Sequence, residues 1–187
     1  GTTLAFTGAT TRGLAELNRA LALTHGDARH RVLHLRGCTY WLLGRYDDAV
    51  GDLSRAITLS RRAGDRLWEG RALGTRGDVR RAMGDSTGSS VDYAAAEAVH
   101  LEIGEVLEAT MSARNRALVA VQRGDVVHAL TLMEQAEERY RAAGVDPVEQ
   151  LVDHAEALLT ARLASEAEHM LDAALAREIE GSIGRSG

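Results

Sequence analysis

The feature that most limits what this chain can fold into is an echo of itself forty residues apart. Between Arg36 and Val50 the residues Gly37, Tyr40, Gly44, Tyr46 and Ala49 stand three, four, two and three residues apart, and Leu53 and Ala56 follow at the next small and large slots. Counting from His30, the series runs Leu33, Gly37, Tyr40, Gly44, Tyr46, Ala49, Leu53 and Ala56. Counting from Gly70, the same slots hold Leu73, Gly77, Gly84, Tyr93 and Ala96; from Thr110 they hold Ala117, Ala120, Gly124, Ala129, Met133 and Ala136. A weaker copy from Val148 gives Ala155, Leu158, Ala167, Leu171 and Ala174. A period in this range marks a stack of supersecondary units, each covering its apolar side with the next.

Each unit reads as two helices. Proline occurs once in 187 residues and aromatics make up only 4%, so the apolar content comes from Leu, Ala and Val, and Leu and Ala are strong helix formers. Apolar periodicity and punctuation predict helices near 10–24, 28–43, 46–63, 66–83, 88–103, 105–123, 126–143, 147–162 and 164–180. Asp65, Asp125 and Asp146 precede apolar runs as N-caps, and Pro147 fits a first helical position. Gly44, Gly64, Gly84, Gly124 and Gly144 fall where helix ends want a left-handed residue. The Gly- and Ser-rich stretch from Gly84 to Val91 predicts the loosest turn and a distorted helix start, with Ser89 in the slot that holds Ala49 one unit earlier.

The small and large slots resemble the tetratricopeptide repeat. The resemblance implies an all-α, TPR-like α-solenoid: a right-handed superhelix of antiparallel helix pairs with about four repeats of ~40 residues. A single domain is expected over 1–180, with a partial repeat at 1–29, repeats at 30–69, 70–109, 110–147 and 148–180, and a flexible tail at 181–187. Gly13, Leu17 and Ala20 fit the second half of a repeat, so the sequence is expected to open inside one and to be a piece of a longer protein. The phrases Arg61 to Leu73, Arg123 to Val126 and Ala136 to Val145 are similar to the repeat region of actinobacterial proteins that join such repeats to a CHAT domain. That likeness implies that any protease-like part lies outside this chain. Gly70 departs from the pattern, since alanine inside a helix would be about 1 kcal/mol better.

Several function classes are disfavoured. Twenty-seven acids against 22 basic residues give a net charge of −5, which removes the overall basic field of a nucleic-acid binder. No apolar run is long enough to span a membrane, and the single Cys38 suits a reducing, cytoplasmic setting. His30, His34 and Cys38 share a helical stripe, but no acid or fourth ligand joins them by spacing, so no metal site is expected. No strained nucleophile turn is legible, and a phosphate-binding loop of the Walker type needs a lysine that the sequence never uses. No catalytic residue and no cofactor are expected, and the chain is read as a non-enzyme.

In tetratricopeptide arrays the first helices line a concave face, and the resemblance implies that positions two, five, nine and twelve of each repeat point into it. Those positions are Arg31, His34, Cys38 and Trp41, then Arg71, Gly74, Asp78 and Arg81. They continue with Met111, Arg114, Leu118 and Val121, then Glu149, Val152, Glu156 and Leu159, so the face runs from basic to acidic. Arginine suits carboxylate capture through its planar fork, while Trp41 and Met111 offer apolar anchors. The expected function is a protein–protein interaction module that holds an acidic peptide or partner segment over Arg31, Arg71, Arg81 and Arg114 and serves a larger multidomain protein, with intramolecular contact to an adjoining domain. The alternative is a ligand- or peptide-sensing domain of a bacterial transcriptional regulator or signalling ATPase. Position seven holds Arg36, Arg76 and Arg116, and buried charge there predicts pairing with acids such as Asp52, Asp78 or Asp92 between adjacent helices. Trp68, just ahead of Gly70, reads as an inter-repeat packing residue.

Overall fold

The computed structural model describes the backbone of residues 2–24, 28–144, 171, 172 and 175, and the side chains from residue 10 onward. Seven helices are bounded: α1 (Thr2–Leu23), α2 (Arg29–Leu42), α3 (Tyr46–Ala63), α4 (Arg66–Ala82), α5 (Ser86–Glu102), α6 (Val106–Gln122) and α7 (Val126–Ala142). No strand occurs among the described residues. The expected helices at 147–162 and 164–180, the Asp146 cap with Pro147, and the tail lie outside the described residues, apart from helical backbone at 171, 172 and 175.

The glycines expected at helix ends are left-handed: Gly44, Gly64, Gly84, Gly124 and Gly144 have φ between 69° and 81°, and Gly104, which was not anticipated, joins them at 77°. At Gly64 the reason is visible in the hydrogen bonds. The chain reverses there so that Asp65 N–H reaches back to the Ser60 carbonyl at 3.0 Å, and the Arg61 carbonyl accepts from Gly64 N–H at 3.2 Å. Asp65 and Asp125 then cap the following helices, accepting from the backbone N–H of Trp68 and His128.

Two expectations fail locally. Helix α1 starts at Thr2 rather than near residue 10, so helix runs through an opening rich in threonine, a residue type of only moderate helix propensity. The Gly84–Val91 stretch is not a loose turn. Helix α5 begins at Ser86, and the Asp85 side chain accepts from Gly88 N–H at 2.8 Å, which gives the first turn an N-cap that offsets its poor propensity. Ser89 is fully buried in the slot that Ala49 fills in α3.

The chain divides into two units, Gly1–Gly104 carrying α1–α5 and Glu105–Gly187 carrying α6 and α7. In the first unit two- and three-residue turns fold α2, α3, α4 and α5 successively back on each other, and the first helices of neighbouring pairs, α2 and α4, also touch. One apolar cluster runs through all five helices as Leu21, Leu33, Ala56, Ile57, Ala72, Leu73, Ala96 and Val99. A second joins Ala49, Leu53 and Val79, with Tyr40, Trp41, Tyr46 and Val50 against it. Full burial of a side chain such as Leu53 contributes about 1.5–3 kcal/mol. In the second unit α6 and α7 close over Ala117, Leu132 and Met133.

Close approach within each pair depends on missing side chains. A Cβ on Gly37 would lie 2.8 Å from Leu53 Cγ, and one on Gly77 would lie 2.8 Å from Tyr93 Cε1. Gly70, which looked like a flaw when judged by propensity, has the same cause. A Cβ there would meet His100 Cδ2 at 2.6 Å, so the imidazole from α5 occupies the space an alanine would need. Packing overrides the ~1 kcal/mol that helix propensity offers.

Two of the arginines at position seven, Arg36 and Arg76, pair as expected. Arg36 donates to Asp52 through Nε at 2.5 Å and Nη2 at 2.8 Å, and its Nη1 reaches Asn18 on α1 at 2.8 Å. Arg76 repeats this with Asp92 at 2.8 and 2.6 Å and with Ser54 on α3 at 2.9 Å. Each guanidinium thus ties its own pair to the helix before it. Asp78 is not one of these partners. It lies two residues from Arg76 on the same helix and therefore faces elsewhere, where it accepts from the Tyr93 hydroxyl at 2.6 Å. In the third copy the slot of Asp52 and Asp92 is held by Leu132, a core residue, so that pairing has no counterpart for Arg116.

Candidate interaction face on α2 and α4

Helices α2 and α4 present their outer residues side by side, and Trp68, in the first turn of α4, stands at the centre. Its indole meets the His34 ring edge-on at 5.2 Å and lies 6.4 Å from His30. Two guanidiniums flank it: Arg31 Cζ from α2 at 5.5 Å from the ring centroid and Arg71 Cζ from α4 at 5.6 Å. Both arginines are exposed. Such cation–π contacts contribute about 0.5–1 kcal/mol at exposed sites and hold the guanidinium planes beside the ring. Trp68 therefore packs between repeats, as its sequence position predicted, and also organises the two arginines nominated for the face.

Asp65 ties the arrangement to the backbone. Its Oδ2 accepts from Arg31 Nη2 at 2.9 Å and from the buried His30 Nε2 at 3.0 Å, while Oδ1 accepts from Trp68 N–H at 3.4 Å. Although burial works against ionisation, the hydrogen bonds from Arg31 and His30 hold the Asp65 carboxyl below the usual carboxylate range. Sequence reasoning saw Asp65 only as a cap. The clue to its wider role was that one turn of sequence, Asp65 to Trp68, carries both the acid and the ring.

Deeper on the face the imidazole and the thiol are held in their neutral forms. Thr75 donates its hydroxyl hydrogen to the Arg71 carbonyl at 3.0 Å, so the 3.1 Å contact with His34 has the imidazole Nε2–H donating to the Thr75 oxygen. Burial first, then the Arg71 charge, push the His34 imidazole down to about 4. Cys38 Sγ lies 3.9 Å from each His34 ring nitrogen, and burial, helped by the Asp78 charge, raises its thiol. A neutral imidazole beside a protonated thiol is the opposite of an activated nucleophile pair. Burial likewise raises the Asp78 carboxyl, against the hydrogen bond from Tyr93 and the Arg81 charge.

The remaining nominated residues divide. Trp41 is half-buried against the Ala49, Leu53 and Val79 cluster, so it serves packing more than an open face. Arg81 is exposed at the end of α4. On α6, in the second unit, Met111 is 48% exposed, Arg114 is half-buried, and Leu118 packs against the Ala117–Leu132–Met133 core. Glu149 and Glu156 lie outside the described residues. The His30, His34 and Cys38 stripe does not converge, since His30 is turned to Asp65 and His34 to Thr75. Among the described residues no group of three or more His, Cys, Asp or Glu is placed to hold a metal ion, and no helix is long and apolar enough to cross a membrane.

No family model matches the sequence, and no curated protein matches it. Solved structures do resemble the fold. BtubC (BKLC) from P. vanneervenii superposes with a TM-score of 0.81 at 15% identity, over 96% of this chain and 76% of its own. A putative kinesin light chain with nearly identical TPR-like repeats, from Podosopora anserina, gives 0.78 at 15% identity over 94% and 90%. A signal transduction ATPase with numerous domains from Pyrococcus horikoshii, which carries a tetratricopeptide repeat sensor, gives 0.81 at 11% identity over 91% of this chain and 27% of its own. At these identities the likeness concerns architecture, and with the forty-residue period and the paired helices it establishes an all-α fold of the tetratricopeptide solenoid type.

Proposed function

We propose that this chain is a protein-interaction module that holds a peptide or partner-protein segment against the α2–α4 face. The observation that carries the reading is the pair of exposed guanidiniums, Arg31 and Arg71, set on the Trp68 ring from two different helices. An aromatic anchor flanked by planar cations suits a segment with a carboxylate next to an apolar side chain. Arg81 adds a further exposed cation on α4 and favours an acidic segment, and by sequence register alone Arg114 and Met111 occupy the corresponding positions on α6. Glu149 and Glu156 complete the series as its acidic end. The resemblance of the repeats to those joined to CHAT domains supports a regulatory or scaffold role within a larger cytoplasmic protein, with an adjoining domain among the candidate partners.

The sensor reading is favoured by one finding, the tetratricopeptide repeat sensor within the Pyrococcus horikoshii ATPase. Both readings use the same face and differ in what the bound segment controls.

Fluorescence polarisation against acidic, neutral and basic peptide libraries tests the proposal. Acidic peptides should bind in a salt-sensitive way, and Arg31→Glu with Arg71→Glu should weaken them at least about tenfold, equivalent to 1.4 kcal/mol. Unchanged affinity in the double reversal, in a variant that keeps its helical circular dichroism, would remove the basis for this face.

A further inference from the structure

A cavity of about 350 Å³ opens between α1, α2 and α3, lined by Leu21, Arg29, Leu33, Ser54, Arg55, Thr58 and Leu59. It shares no residue with the Trp68 face. We propose that it is a binding site for a free small molecule with a carboxylate on an apolar body, of which a medium-chain fatty acid is the simplest case.

The volume lies at the lower end of the range for ligand pockets, and the lining has the usual composition of an apolar floor with a few polar groups. Leu21 and Leu33 are buried and Leu59 is half-buried. Of the two wall hydroxyls, Thr58 donates to the Ser54 carbonyl at 3.0 Å, and Ser54 Oγ accepts from Arg76 at 2.9 Å, which leaves its hydrogen to donate. The charged groups carry the rest of the cavity's polarity. Arg29 is fixed in place because its Nη1 donates to the Leu21 and Thr24 carbonyls at the end of α1, at 2.9 and 3.1 Å. Arg55 stands at the mouth, 73% exposed, with Asp52 no nearer than 3.9 Å, outside hydrogen-bond reach. Two guanidiniums above a leucine floor complement an anionic head on an apolar chain.

The next repeat supplies an internal control. Forty residues on, Leu21, Arg29, Ser54, Arg55, Thr58 and Leu59 become Arg61, Glu69, Ala94, Ala95, Ala98 and Val99. There Val99 is buried and Ala95 packs on the core, while Glu69 is bound by Arg61 at 2.6 Å and Arg66 at 2.5 Å. At the equivalent positions the second copy thus carries a buried valine and an internal ion pair, where the first carries Leu59 and two arginines that line a cavity.

The test is a titration of the intact chain, with ¹³C-labelled leucine methyls, by sodium decanoate below its micelle threshold, with decanol and decyltrimethylammonium as matched probes. Saturable shifts of the Leu21, Leu33 and Leu59 methyls with decanoate, weakened at least about tenfold for decanol and in Arg55→Glu, are the expected result. Arg55→Gln repeats the measurement without a charge reversal. Absent saturation, equal binding of decanol and decanoate, or unchanged affinity in both Arg55 variants would overturn the proposal. The equal-binding outcome would leave only a gap that accepts apolar chains.

Discussion

The helix pairs α2–α3 and α4–α5 meet the same packing demand with their residues exchanged. At one buried register the first pair places His30 on its first helix and Ser60 on its second, whereas the second pair places Gly70 and His100 there. The imidazole changes helix and the small residue moves opposite it. In the α6–α7 pair the same register holds Thr110 and Tyr140, both buried. The first two pairs thus exchange the helix that carries the large residue, while the third holds a bulkier combination at the same register. The charged register behaves otherwise: Arg36–Asp52 and Arg76–Asp92 are repeated almost atom for atom, because bidentate geometry tolerates no such exchange.

The comparison is broken most severely at its acids. Asp92 accepts from both Arg76 and Arg80 with its side chain 2% exposed, so Asp92→Ala should cost about 3–5 kcal/mol in urea unfolding by leaving charge uncompensated. Asp52→Ala should cost less, since its short contact is with Arg36 alone and Arg36 keeps Asn18. Equal costs would mean that Arg80 adds nothing to the second pair.

The two pairs also differ in titration. His34 of the first pair has Gly74 as its counterpart. With an imidazole at about 4 in the fold and 6.5 in the unfolded chain, the unfolded state binds more protons between those values. Stability contributed by neutral His34 is therefore complete above about 6.5 and declines as pH falls toward 4, by about 2 kcal/mol at pH 5. Asp78, with its raised carboxyl, works in the opposite direction. Comparing melting at pH 7 and pH 5 with that of His34→Gln isolates the histidine, and the variant should lose less.

Size exchange is sharpened by a transplant. Gly70→Ala should destabilise by about 1–2 kcal/mol despite its better propensity, because overpacking against His100 outweighs it. Gly70→His should do worse alone and recover when combined with His100→Ser, with a coupling energy of at least about 1 kcal/mol. Additive effects would show that the bulk at this register is not shared between the helices. The smallest effect concerns the caps. Helix α3 has Arg45 at its N-cap position and no side-chain cap, whereas Asp85 caps α5, so Asp85→Ala should cost about 1 kcal/mol in thermal denaturation.

Much of this was legible before any coordinates. Helix boundaries in the middle of the chain followed from local signals, glycine at the turns and aspartate at the caps, which act within one turn of backbone. The Arg36–Asp52 and Arg76–Asp92 pairs were among those nominated, because a charge at a core slot requires a partner and few acids lie within reach. Asp85 was missed because its neighbours Gly88 and Ser89 lower propensity, although Gly88 N–H is the donor that the cap uses. On the interaction face, Arg31, His34 and Arg71 were named from register, but the position of Trp68 among them was not, since contact between α2 and α4 joins residues more than thirty positions apart.

The sequence by itself determined that this chain forms paired helices on a forty-residue period, since periodicity, caps and left-handed glycines are local and each depends on a few neighbouring residues. Tertiary structure alone decided that Gly70 must stay small under His100, that Trp68 gathers two arginines, and that a cavity opens between α1, α2 and α3. Those outcomes depend on the volume and charge that distant helices bring to one place, and a one-dimensional pattern does not contain that information.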